Sequence, residues 1–211
     1  MAVKVEWTTA EQRALIHEQA LGLLERMGMR FGRGRALDVL AGSGAQVDVP
    51  SGVARIPPDL VERALSTLPE VVVLGGGDPE HDCVLDGTIH FLDSGTPTHT
   101  VDFETGAYRA TTADDLRKAT VILEEMPSVD IMWPIVAATD VPGEQRILTE
   151  IAVTLSKTRK HVQHELEAMW QVEPILQMME ICGGEEQRSR HRLSLVCCTA
   201  SPMMAHGPML D

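Results

Sequence analysis

The sequence predicts an α/β protein in which a helical and small antiparallel β extension precedes a set of parallel β/α units. Three observations predict this class. Helical apolar periods open the chain, short strand-like runs with turn residues follow them, and a β-α-β-α-β rhythm fills the last hundred residues. We therefore divide the chain into an extension at residues 1–110 and the β/α units at residues 111–211.

Three helix patterns occur in the first 70 residues. Thr8 stands three residues before Glu11, which is the spacing of a capping box, and Gly28 ends the first helical period. A second, shorter pattern ends in the region Gly42–Gly44. Pro57–Pro58 opens the third, because the missing N–H of proline costs nothing in a first helical turn.

The strand signals of the extension come in antiparallel pairs separated by turn residues. Asp86–Gly87 tolerates the positive φ angles of a tight hairpin turn and therefore predicts pairing of its two flanking runs. The predicted strands are Ala45–Val49 with Val53–Ile56, Val71–Leu74, Cys83–Leu85 with Thr88–Leu92, and Thr98–Phe103 with Ala107–Arg109.

The second half alternates helices with apolar strands. Such alternation implies parallel strands with right-handed crossovers, at the start of either a doubly wound sheet or a (β/α)8 barrel. A barrel needs about 250 residues, so it cannot close within this chain, and residues 201–211 are expected to be a loop. The predicted elements are a helix capped by Thr112, strands Val129–Val136, Lys160–Glu165 and Leu193–Cys198, a helix at 143–156, and one that ends at Gly183–Gly184.

Composition restricts the partners and the compartment. The formal net charge of −13 opposes nucleic-acid binding, which needs clustered Lys and Arg. Four cysteines without C-x-x-C spacing do not form a disulfide framework. The chain has neither a leader pattern nor an apolar run that would span a bilayer, so we expect a cytoplasmic protein without a membrane partner.

The order of short landmarks along the chain resembles the trimethylamine:corrinoid methyltransferase family, N-terminal part only. Each landmark alone is weak, but their shared order covers nearly the whole sequence. The landmarks are Ile16–His17–Glu18, Arg55–Ile56–Pro57–Pro58–Asp59–Leu60–Val61, Gly77–Asp78–Pro79–Glu80, Asp102–Phe103–Glu104–Thr105–Gly106, Asp114–Asp115–Leu116, Pro127–Ser128–Val129–Asp130, Asp140–Val141–Pro142, Gly183–Gly184–Glu185–Glu186 and Ser201–Pro202.

This resemblance implies a partial TIM (β/α)8 barrel, comprising about its first three strands. It also implies transfer of a methyl group from trimethylamine, or from a quaternary amine such as a betaine, to the cobalt of a corrinoid. A separate partner protein would carry that corrinoid, so this chain would bind no cofactor directly, and we expect a homo-oligomer. The alternative is a non-catalytic subunit that binds a quaternary amine or completes a barrel. Asp93–Ser94–Gly95–Thr96–Pro97 departs from the family's run of small residues, which bears on substrate choice.

The candidate binding residues follow from the position of barrel active sites at the carboxyl ends of the strands. Cation recognition by an aromatic face adds Trp133. Other interpretations stay open: Asp140 as a helix cap, His164 with Glu165 as a structural pair, and Trp133 as core packing. The candidates from strand ends are Thr139, Asp140, His164, Glu165 and Ser201.

The sequence identifies no catalytic residue and no metal site. His161 and His164 lie three apart on a predicted strand and so point to opposite faces, whereas ligands of one zinc ion must converge. No nucleophile–base pair is recognisable. None is needed if reduced cobalt in the partner is the nucleophile and the enzyme desolvates and orients the methyl group.

Overall fold

The computed structural model describes residues 6–32, 34–93, 95–196 and 202–205. They fall into two compact units. The first runs to Glu70 and includes residues 202–205, and the second is Val71–Val196. Within these ranges no helix is long and apolar enough to cross a membrane. The boundary at residue 110, which marks a change of sequence rhythm, stays a prediction.

The first unit combines three helices with a four-stranded sheet. The sheet order is β11-β1-β3-β2, with β1 and β2 antiparallel to β3 and β11 parallel to β1. The elements are α1 (Ala10–Arg26), β1 (Met29–Phe31), α2 (Arg35–Ser43), β2 (Gln46–Asp48), β3 (Val53–Arg55), α3 (Pro58–Leu65) and β11 (Met204–Ala205).

Most elements of this unit confirm the sequence prediction, with two corrections. The capping box of α1 is formed by Thr9 and Gln12, one residue later than predicted. The loop predicted for residues 201–211 is wrong at β11, because the main chain of Arg30 in β1 binds the carbonyl of Met203 and draws this segment onto the sheet. Gly28 follows α1 at φ +76°, as its predicted role as a helix stop requires.

The second unit is built around a parallel sheet. Strands β8, β9 and β10 lie side by side in chain order and both pairs are parallel, which confirms the predicted β/α arrangement. Among the described residues the sheets are open. The elements are β4 (Val72–Leu74), β5 (Cys83–Leu85), β6 (His99–Val101), β7 (Tyr108–Ala110), α4 (Ala113–Glu124), β8 (Ile131–Met132), α5 (Gly143–Leu155), β9 (His161–Glu165), α6 (Val172–Gly183) and β10 (Leu193–Val196).

The predicted hairpin through Asp86–Gly87 is wrong. Strand β5 pairs antiparallel with β4, while Leu92 forms a parallel bridge with Ile131 of β8. The cause is Asp130, whose carboxylate accepts the main-chain N–H of Phe91 at 2.8 Å. The carbonyl of Phe91 accepts in turn from Asp130 and Ile131, so the segment joins the parallel sheet.

The hairpin of β6 and β7 is confirmed, and a single arginine ties it to α4. Arg109 on β7 binds Asp102 before the turn at 3.0 Å and Asp115 in the first turn of α4 at 2.7 Å. Asp115 also completes the capping box of Thr112. The bonds from Arg109 hold the pKa of Asp115 well below its ordinary value, whereas the pKa of Asp102 is lowered first by the hydrogen bonds from Thr105 and then by Arg109.

Two buried cations stand where strands begin. Lys160 directly precedes β9, and its Nζ donates to the carbonyls of Leu123 and Met126 at the end of α4. Arg192 directly precedes β10, and its Nη2 donates to the carbonyls of Leu155 and Thr158 at the end of α5. Arg192 therefore supplies the donor for two carbonyls at a helix end, and Lys160 adds a charged donor to carbonyls that also accept from the N–H groups of Met126 and Val129.

Candidate functional site

A cavity of about 190 Å³ opens at the carboxyl ends of the parallel strands. The edge formed by the ends of parallel strands is where α/β proteins place their ligands. The cavity takes residues from the strand ends and from the first two turns of α5. Its lining residues are Thr96, Trp133, Ala137, Arg146, Ile147, Glu150, His164 and Glu165.

Glu150 is the buried charge at this end of the sheet, with 1% of its surface exposed. One carboxylate oxygen accepts the main-chain N–H of Ala138 at 2.8 Å, just beyond β8. The other lies 2.9 Å from Nε2 of His164 on β9. A single helical carboxylate thus joins the ends of two strands and fixes one side of the cavity.

The hydrogen bonds of the His164 ring indicate one tautomer. Its Nδ1 accepts the main-chain N–H of Glu165 at 2.6 Å, so that nitrogen carries no proton. The proton therefore resides on Nε2 and is donated to Glu150. Because both ring nitrogens are engaged, His164 offers a ligand the surface of its ring and no proton acceptor.

Trp133 forms the aromatic part of the cavity wall. Its ring lies 5.8 Å from that of His164, centroid to centroid, at an angle of 48°. The indole Nε1 is buried and has no hydrogen-bond partner among the residues that the structure describes. Arg146, which also lines the cavity, forms ion pairs with two carboxylates. Its Nε lies 3.8 Å from Glu150 and its Nη2 lies 3.3 Å from Glu167.

The structure brings together three of the six predicted binding residues, Trp133, His164 and Glu165, around one cavity. Thr139 and Asp140 are exposed and line no part of it. Asp140 accepts the main-chain N–H of Ala113 at 2.8 Å, so it supports the start of α4. Ser201 lies outside the described residues. The binding roles of all six stay predictions.

Sequence reasoning missed Glu150 and Arg146. Glu150 had a signal, because it lies three residues after Ile147 and directly before Ile151, both buried, and so on the inward face of α5. An acidic residue inside an apolar helical stripe is a buried charge that requires a partner. Arg146 had no such signal, since exposed arginines on helices are common.

A larger opening, of about 310 Å³, lies where the parallel strands begin, beside Asp130 and Lys160. Three of its carboxylates are already engaged: Asp82 binds Arg190, Glu124 binds Thr158 and Arg159, and Asp130 accepts from Phe91. Within the described part of the chain, no group of three His, Cys, Asp or Glu side chains is arranged to hold a metal ion. His161 and His164 have separate partners, since His161 binds Gly75 and Ser194.

Comparison with known proteins gives one consistent result. The family described as trimethylamine methyltransferase (MTTB) matches residues 2–211. Trimethylamine methyltransferase MttB of Desulfitobacterium hafniense is 31% identical over 92% of this chain. MttB1 of Methanosarcina acetivorans and MttB of Methanosarcina thermophila are each 24% identical over 95% of it. The chain spans 40%, 42% and 43% of these three relatives' own lengths.

Proposed function

Because the chain belongs to the trimethylamine methyltransferase family, we propose that it forms the first part of an amine methyltransferase. The enzyme would move a methyl group from a methylated or quaternary amine to the cobalt of a corrinoid carried by a separate protein. The observation that carries this proposal is the family match over residues 2–211. The cavity at the strand ends supports it independently.

The fold part of the proposal is that the parallel strands are the beginning of a TIM barrel. They lie in chain order, with α5 between β8 and β9 and α6 between β9 and β10, as successive barrel units would. The parallel bridge at Leu92 supports a start at this residue, with β8 as the second strand. The hairpin of β6 and β7 would then be an insertion between the first strand and its helix.

The cavity has the chemistry expected for a small cationic ligand. Trp133 and His164 supply ring surfaces, and Glu150 and Glu165 supply carboxylates. Aromatic faces and carboxylates are the groups that stabilise methylated ammonium ions. The volume of about 190 Å³ is below the roughly 300–1,000 Å³ of sites for larger ligands, which favours a molecule of few atoms.

The residues of this chain would bind and orient the donor amine. Since His164 has no free ring nitrogen, its contribution is a wall that excludes water and not a proton transfer. The reduced corrinoid cobalt would supply the nucleophile when it is present. Holding the methyl group in line for attack is then the main task of the protein.

Arg146 favours a betaine as the donor. Its guanidinium lines the same cavity as Trp133, so one site offers an aromatic face for a quaternary ammonium and a cation for a carboxylate. A zwitterionic donor would satisfy both groups, whereas trimethylamine would leave Arg146 without a ligand partner. We therefore propose betaine-type substrates alongside trimethylamine.

The test is methylation of cob(I)alamin by the full-length gene product, with trimethylamine, other methylamines and glycine betaine as donors. We expect Arg146→Met to lower the rate with betaine about tenfold more than with trimethylamine. Trp133→Leu should lower both. Absence of cobalt methylation with every donor would contradict the enzyme proposal, and amine binding without turnover would support the non-catalytic subunit.

We also propose that the protein is cytoplasmic and homo-oligomeric. The cysteine usage supports the first point, and the exposed apolar side chains Leu15 and Ile16 on α1 support the second. Light scattering after size exclusion measures the oligomeric state. A monomer at micromolar concentration would contradict it.

A further inference from the structure

Residues 91–93 and 95–97 pair in parallel with residues 131–137, and at one point of this ladder a side chain takes the place of a main-chain carbonyl. Ile131 donates to the carbonyl of Phe91, and Asp93 donates to the carbonyl of Ile131, as in a regular ladder. The next donor is the N–H of Trp133, and its acceptor is Oδ1 of Asp93, at 2.6 Å. Farther on, Ala137 donates to the carbonyl of Pro97 in the same register.

The residues that follow explain why the Asp93 carboxylate, and not a main-chain carbonyl, accepts the N–H of Trp133. Pro97 has no N–H to donate, and Thr96 donates to the carbonyl of Ile135 instead, at 3.5 Å. Thr96 adopts a positive φ of 88°, which a threonine rarely does. The main chain at Thr96 and Pro97 therefore departs from regular strand geometry, and the Asp93 carboxylate maintains the link to Trp133.

This link determines where the Trp133 indole lies. Its own N–H has no partner, so no side-chain hydrogen bond anchors the ring. The ring is held by its contact with His164 and by its main chain, and the main-chain N–H is bound to Asp93. Asp93 itself is 9% exposed, and its Oδ2 is buried without a partner. A buried carboxylate that uses only one oxygen is costly for stability alone, which points to a positional role.

We propose that Asp93 is a positioning residue for the cavity: it holds the main chain of Trp133 so that the indole forms the wall on which a methylated ammonium group rests. The ligand class in this statement rests on the function proposed above, whereas the positioning of Trp133 does not. Residue 93 thus influences which amines fit, although it does not line the cavity.

The experiment uses Trp133 as the single tryptophan of the 211-residue chain, after Trp7→Phe and Trp170→Phe, with excitation selective for tryptophan. Asp93→Asn retains an acceptor oxygen and Asp93→Ala removes it. We expect the emission and acrylamide quenching of Asp93→Asn to match the parent, while Asp93→Ala shifts to longer wavelength and becomes more quenchable. Tetramethylammonium should bind the parent and Asp93→Asn alike, and Asp93→Ala about tenfold more weakly.

Three outcomes separate this proposal from the one on which it rests. Unchanged Trp133 emission and affinity in Asp93→Ala would overturn the positioning role. If the parent does not bind tetramethylammonium, the amine site is contradicted, and the emission comparison still decides the positioning. If Asp93→Ala does not fold, hydrogen exchange decides: the Trp133 amide should be protected in the parent and in Asp93→Asn, and rapid exchange in the parent would overturn the proposal.

Discussion

The two ends of the parallel sheet bury charges of opposite sign. Where the strands begin, the cations Lys160 and Arg192 hold carbonyls at the ends of α4 and α5. Where the strands finish, the carboxylates of Asp93 and Glu150 hold main-chain N–H groups of Trp133 and Ala138. Both ends thus use side-chain charge to complete main-chain hydrogen bonding.

The two ends differ in the buried polar atoms that these hydrogen bonds leave without a partner. At the first end the cations complete two helix termini, which is a structural task. Among the described residues, one buried polar atom is unpaired at the first end, Nε of Arg192, and two are unpaired at the second end, Oδ2 of Asp93 and Nε1 of Trp133, beside the cavity. We infer that the first end provides stability and that the second gives up some stability for a binding site.

The strongest test of this comparison is Arg192→Met, for which we expect the largest loss of stability. Arg192 is 3% exposed, and its removal leaves the carbonyls of Leu155 and Thr158 without a donor. The free energy of unfolding should fall by about 3–4 kcal/mol in urea titrations. Arg188→Met is the control, because Arg188 is a partly exposed partner of Glu180 and should cost less than about 1 kcal/mol. Equal losses would contradict the structural role.

The second prediction concerns pH at the other end of the sheet. Burial raises the pKa of Asp93 to about 6, so the fold favours its neutral form. The stability that Asp93 contributes is complete below its unfolded pKa of about 3.9 and is lost as pH rises through about 6. Relative to Asp93→Asn, the parent should lose about 2–3 kcal/mol of unfolding free energy between pH 4 and 7.5. Parallel curves for the two proteins would refute the prediction.

Glu150→Gln sharpens the comparison by removing charge without changing shape. An amide that keeps its oxygen on Ala138 must direct its NH2 towards the Nε2–H of His164, which places two donors face to face. We expect a loss of about 1–2 kcal/mol in unfolding free energy. Glu144→Gln, at the exposed start of the same helix, is the matched control and should change little. If Glu150→Gln left the free energy of unfolding unchanged, His164 would have to change its tautomer without cost.

Asp140→Ala should have the smallest effect. Its carboxylate binds the N–H of Ala113, but the site is exposed and Thr112 already caps α4. Water can therefore replace the carboxylate, and the free energy of unfolding should fall by only about 0.5–1 kcal/mol. Amine binding should be unchanged, because Asp140 does not line the cavity. Loss of tetramethylammonium binding in this variant would instead support the substrate-binding role predicted from sequence.

Local signals predicted the elements that local chemistry determines. Thr112 with Asp115 defines the start of α4, and the apolar stripe of α5 predicts a helix at 143–156 that the structure places at Gly143–Leu155. The predicted hairpin at Asp86–Gly87 does not form, because the segment that should be its second strand binds Asp130, which lies 39 residues after Phe91. Such a competition between partners is invisible in a local pattern.

The candidate site was predicted in part for a related reason. The carboxyl ends of parallel strands indicated His164 and Glu165, because strand topology follows from the β-α rhythm, and Trp133 was indicated by the aromatic face that a methylated cation requires. The partners that set their geometry, Glu150 and Asp93, come from a helix and from a neighbouring segment. Their roles depend on which elements pack together, and that is decided only in the folded unit.

The spatial order of the parallel strands is also the order in which a ribosome makes them. The strand β8 lies beside Leu92, β9 lies beside β8, and β10 lies beside β9. A nascent chain can therefore extend this sheet one strand at a time at an edge already present, and no later strand has to be inserted between two earlier ones. Assembly of the unit during translation requires no rearrangement of what has already formed.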